Sequence, residues 1–321
     1  MRRPGSVRRT TSIDSDWPNG FGEPWVMTGR ARDLLTPPDG SAGIVLATGG
    51  VVIRASLQRE IEAIALDPAH PNAGDMVGVR AGGASRGAMG ANLGDLRGTP
   101  VFQILDDFAG ASLVAPWVWS LWTDDWLERL TGQAGTNGEA RAVARRNMIN
   151  ICTGFAEGGS AHTEEGRPNA ETQSSTVVGP LEHPDDPDGW HAMTVQEGPH
   201  MRRARRIDVW REAGLIKVDA GFQDSGTNPA GGRTGLHEYR IHAEVDPRDG
   251  VLTALQVLPM VLPFQECPGA AIKATRLIGH RMADFRDDVL ETLPGIQGCT
   301  HLNDMLRALA DVPALAAYLP E

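Results

Sequence analysis

The most constraining stretch of this sequence runs from Leu236 to Leu262. Two apolar-rich runs, Leu236 to Val245 and Val251 to Leu262, flank Asp246-Pro247-Arg248-Asp249-Gly250. Pro and Gly stand where a reversing turn needs them, so the runs read as neighbouring antiparallel strands. Upstream, Met201 to Arg211 opens basic and turns apolar at Ile207, Val209 and Trp210, and Leu215 to Ala220 reads as another strand. An antiparallel meander therefore comes first. Cys267-Pro268 then starts a helix with Pro at its first position; it runs through Ala271, Ala274 and Leu277 and stops at Gly279. A second helix covers Met282 to Leu293. A third follows Gly298-Cys299-Thr300, with Thr300 as N-cap and Leu302, Met305, Leu306 and Leu309 as its apolar stripe.

The N-terminal part repeats this order weakly. Arg8-Arg9 with Ile13-Asp14 echoes Arg202-Arg203 with Ile207-Asp208, and Gly29 to Asp33 echoes Gly221 to Asp224. Gly43 to Leu66 supplies two strands. Leu96-Arg97-Gly98 echoes Leu277-Ile278-Gly279, and in this register Arg86 and Ala111 stand where Cys267 and Cys299 stand. The expected fold is α+β with two related halves, each a meander followed by helices. The halves span residues 1–125 and 200–321. Residues 126–199 form an irregular connecting or lid region, with one helix expected over Glu139 to Ile151.

Composition narrows the function. The net charge of -11 argues against nucleic acid and anionic membrane surfaces as partners. No apolar run approaches a membrane span, and no signal peptide is evident, so a cytoplasmic location is expected. Three cysteines are too few, and odd in number, for a disulfide framework. Gly82 to Gly87 lacks the Lys of a phosphate loop and Gly49-Gly50 lacks dinucleotide spacing, so no nucleotide cofactor is expected. Trp117, Trp119, Trp122 and Trp126 read as a core or inter-domain surface, or as the wall of an apolar pocket.

Two resemblances bear on chemistry. Cys267-Pro268-Gly269-Ala270-Ala271, Leu277-Ile278-Gly279 and Gly298 to Leu306 together resemble an uncharacterised bacterial family catalogued as a domain of unknown function, over roughly residues 200–312. Its members often accompany catabolic genes for lipids, steroids or terpenoids. More distantly, the meander followed by one cysteine at a small-residue helix and another at the last helix is similar to NifU-type iron–sulfur scaffolds. That likeness implies ligand positions at Cys267, Cys299 and His237. The scaffold's remaining Cys and His fall on Gly235 and Gly298.

Cys267 and Cys299 both lie at helix starts, where the unpaired N–H groups favour a thiolate. With His237 they match a catalytic zinc set with one vacant position, for zinc or another divalent transition metal. Glu238 or His301 would then move protons. Metal-free reactive thiols and inert structural cysteines are the competing readings. The expected function is an enzyme of small apolar metabolite catabolism, by hydration, dehydration, hydrolysis or isomerisation of a terpenoid, steroid or acyl-type substrate. The alternatives are a metal- or cluster-binding accessory protein without turnover, or a non-catalytic subunit. Homo-oligomer formation is left open.

Overall fold

The computed structural model describes residues 1–126, 148–163 and 169–321. Four strands come first: β1 Ser6–Asp16, β2 Trp25–Thr36, β3 Ile44–Ala55 and β4 Ile61–Asp67. Helices α1 Gly83–Asn92 and α2 Pro100–Val114 follow. After the short β5, Thr176–Val178, the pattern returns as β6 Met201–Glu212, β7 Leu215–Thr227, β8 Arg233–Val245 and β9 Leu252–Val261. Helices α3 Gly269–Lys273, α4 Phe285–Thr292, α5 Thr300–Ala308 and α6 Val312–Ala316 complete the chain. All nine strands among the described residues join one antiparallel sheet in the order β4-β3-β2-β1-β6-β7-β8-β5, with β9 also paired to β8.

The halves meet along β1 and β6, where Arg8 pairs with Asp208 and Asp14 with Arg202. Each arginine donates through Nε at 2.6 Å to the aspartate opposite, so the echoed Arg and Asp residues bond across the junction. The next strands repeat too. Arg9 stands opposite Asp33 in β2, and Arg203 opposite Asp224 in β7. A β-bulge follows each of these aspartates. The meander-then-helices order expected of both halves is thus present. The helix correspondence is not the expected one. Ala111 lies in the last turns of α2, whereas Cys299 caps the start of α5, where Thr99 caps α2. Thr300, expected as N-cap, is the first helical residue.

The helices cover one face of the sheet. Under the C-terminal half Ile207, Val209, Val218, Ile241, Leu302 and Leu306 form one apolar core. Under the N-terminal half Ile13, Trp25, Ile53, Phe102 and Phe108 form a second. On the central strands, Arg9, Arg203 and Arg205 are buried. They join a chain of ion pairs through Asp33, Asp311, Arg286, Asp106, Arg307, Arg86, Asp304, Asp107 and Asp224. These arginines and aspartates are equal in number, so the seam carries no net formal charge. That balance matters because an unpaired buried ion is costly.

The other face is crossed by residues 183–195. Their His191 sits between Thr10 and Ser12 of β1, with ring nitrogens at 2.9 and 2.8 Å from the two hydroxyls. Arg8, Arg32 and Arg202 donate to carbonyls of the same segment. The tryptophan segment forms a 3-10 helix over Ala115–Leu121, so its indoles do not share an α-helical face. Trp117 is buried in the N-terminal core and Trp119 packs edge-on to Trp17 and Phe21. Trp122 donates to the Thr227 carbonyl. Of the helix expected over Glu139 to Ile151, most lies outside the described residues, and Met148 to Asn150 form a turn.

Candidate metal centre

Asp224, near the end of β7, is held by Arg203, which donates to both carboxylate oxygens at 2.9 Å. The bulge on β8 places Leu236 outside the ladder and sets His237 directly opposite Asp224. Such bulges re-aim side chains, and here one turns an imidazole onto a carboxylate. Gly235 makes room beside the bulge: a Cβ there would lie 2.7 Å from Val178 Cγ1 of β5. From the helix layer, the first turn of α5 brings His301 onto the same carboxylate.

The two imidazoles stack with centroids 3.7 Å apart and planes 18° from parallel. His237 Nδ1 and His301 Nε2 each lie 3.8 Å from Asp224 Oδ2. Neither nitrogen has a hydrogen-bond partner, although both are buried. Asp224, His237 and His301 each offer one donor atom within 4.8 Å of the other two. Burial holds both histidines well below their usual pKa; for His237 the neighbouring His301 adds to it, and for His301 the Arg203 guanidinium does. Both rings are therefore neutral near pH 7, the form that presents a lone pair.

An unpaired buried polar atom costs about 1–3 kcal/mol. Two such nitrogens beside one carboxylate make a donor set of the two-histidine, one-carboxylate kind. A metal lies near the plane of an imidazole that ligates it, and nearly parallel rings share no such point, so an ion shared by both would require one ring to turn. The N-terminal half lacks the set. Ala47 stands opposite Asp33 where His237 stands opposite Asp224. Val101 occupies the second position of α2 where His301 occupies that of α5.

His237 and His301, singled out from sequence, thus come together. Cys267 and Cys299 are not members of that group. These two thiols and that of Cys152 are free and buried. Burial and then the nearby Cys299 push Cys267 up to about 12, and the same two causes push Cys152 up to about 11. Burial raises Cys299 as well. The helix starts therefore do not outweigh desolvation, and these thiols stay protonated at neutral pH. Glu238 falls on the opposite face of the sheet, because neighbours along a strand alternate. There it accepts from Gln223 at 3.1 Å and lines a cleft of about 450 Å³ with Arg206, Trp190, Leu181 and Met260. Asp224 was visible in the sequence only as an echo of Asp33; its part in the site depends on the cross-strand register.

The fold and site define an α+β protein with a buried carboxylate–imidazole cluster. Residues 201–315 match the family model described as "Protein of unknown function (DUF2889)". That stretch runs from the start of β6 into α6 and includes Asp224, His237 and His301. No curated protein and no solved structure gives a significant match. Among the described residues no helix is long and apolar enough to cross a membrane.

Proposed function

We propose that this protein holds a divalent transition metal ion at Asp224, His237 and His301. One observation carries the reading: two buried imidazole nitrogens without partners face the same carboxylate oxygen. Imidazole and carboxylate together suit zinc, iron(II) or cobalt(II). Arg203 would fix the carboxylate, the two neutral rings would supply lone pairs, and the surrounding apolar core would exclude water. A bound ion supplies Lewis acidity there. Clefts of about 450 and 540 Å³ lie on the opposite face of the sheet, which favours a metal-binding accessory protein without turnover.

The second reading is turnover of a small apolar metabolite, by hydration, hydrolysis or isomerisation, with Glu238 moving the proton. It is favoured by the cleft that places Glu238 beside Trp190, Leu181 and Met260. A finer likeness to NifU-type scaffolds, with Cys267 ahead of α3 and Cys299 capping α5, and a cytoplasmic home suited to free thiols belong to the same proposal. Cobalt(II) titration tests the metal reading. Visible d–d bands should saturate at one equivalent, and His237→Ala and His301→Ala should each abolish them while the variants still fold. Unchanged uptake in both folded variants would refute the site.

A further inference from the structure

All three cysteines of the chain are buried, and the loop that carries Cys152 reaches both the turn at Cys267 and the stretch before Cys299. The first arrives on a loop pinned to the stretch before α5. Thr153 donates its N–H to the Gly298 carbonyl at 2.8 Å, and its hydroxyl to the Ile296 and Gly298 carbonyls at 3.0 Å each. Those bonds draw Cys152 to the N-terminus of α5. Cys299 is the N-cap itself, and its sulfur accepts no capping hydrogen bond. The turn ahead of α3 brings the last thiol. A Cβ at Gly154 would lie 2.5 Å from Cys267 Sγ and 4.0 Å from Cys152 Sγ, so only glycine lets the loop approach this closely.

Tyr239 supplies an independent sign that the point is built for something. It projects from β8 on the face that carries His237, two residues earlier, and its side chain is fully buried. Its hydroxyl makes no hydrogen bond of good geometry, and burial with Cys299 beside it raises its pKa. Packing alone does not explain a buried hydroxyl with only a thiol beside it, since removing it would avoid the desolvation cost. An occupant that draws the thiols in would repay that cost.

We propose that Cys152, Cys267 and Cys299 form a second metal site, selective for a soft thiophilic cation such as copper(I), beside the Tyr239 hydroxyl. Three thiolates and no hard donor are the ligand chemistry that prefers such an ion. Binding would release thiol protons to solvent. The sulfurs do not meet the 4.8 Å spacing of the Asp-His-His group, so an ion would draw them together. The inference does not depend on a metal at Asp224, because the two sites share no ligand.

The test uses the full chain, reduced and free of oxygen, titrated with copper(I) against a bicinchoninate competitor. Uptake of one equivalent, with three sulfur scatterers by X-ray absorption, is the expected result. Cys152→Ser should lower copper(I) affinity at least tenfold, and His237→Ala should leave it unchanged. Two sulfur scatterers or none in the wild-type protein would overturn the proposal without recourse to any variant. So would undiminished affinity in folded Cys152→Ser.

Discussion

Replacing Arg203 by Met tests how the ionic seam holds the site. Arg203 is 2% exposed, bonds both oxygens of Asp224 and Asp304 Oδ2 at 2.9 Å, and lies 3.8 Å from Asp107. Its guanidinium also stacks 4.9 Å from the Phe222 ring. Methionine keeps much of that packing and removes the charge. Asp304 retains Arg86, and Asp107 retains Arg205, but Asp224 loses its arginine. Breaking a buried pair from one side costs about 3–5 kcal/mol, because the remaining ion is left uncompensated. Urea unfolding at pH 7 should therefore show a loss of that size. Arg203→Met combined with Asp224→Leu should recover a large part of it, since removing both partners leaves no orphan. A single-variant loss under about 1 kcal/mol, as for a surface pair, would refute the reasoning. So would a double variant no more stable than the single one.

Three further outcomes follow from particular contacts. His191 is held at about 4, chiefly by burial and then by Arg32, so its folded pKa lies below its unfolded value. Its contribution is present above pH 6.5 and lost as the pH falls toward 4, by roughly 3 kcal/mol at most; urea midpoints at pH 7 and 4.5 should show the advantage of wild type over His191→Gln shrinking on acidification. Gly110 of α2 leaves no room for a Cβ beside Arg203 and Asp304, so Gly110→Ala should destabilise by about 1–3 kcal/mol, and an unchanged melting temperature would contradict that packing. Gly154→Ala should cost a similar amount by pressing on Cys267, and Cys267→Ala should relieve it; equal losses with and without the cysteine would show that the contact is not the cause.

Much of the fold was legible because it is written in local signals. The turn at Asp246 to Gly250, proline and glycine at the helix ends and the apolar stripe of α5 each act within a few residues. The N-terminal half was legible through the repeated Arg-Arg and Ile-Asp signals, which turned out to be cross-strand partners. The site was less legible because it depends on register. A single bulge at Leu236 decides that His237 meets Asp224, and alternation then sends Glu238 to the far face. The helix-start argument for thiolates was sound as local electrostatics, but tertiary burial outweighed it at Cys267 and Cys299. The approach of Cys152 to Cys299 rests on hydrogen bonds between segments about 145 residues apart, as the Thr153–Gly298 bond shows, and no periodicity records such a contact.

The proposed metal centre is tested most directly by metal content. Protein purified without an affinity metal column, loaded with zinc and dialysed, should retain one equivalent at the Asp-His-His group. Cys299→Ser should keep that equivalent, and His301→Ala, folded by circular dichroism, should lose it. Retention of zinc in His301→Ala, or no retained zinc in the wild-type protein under conditions where its histidines are neutral, would contradict the assignment.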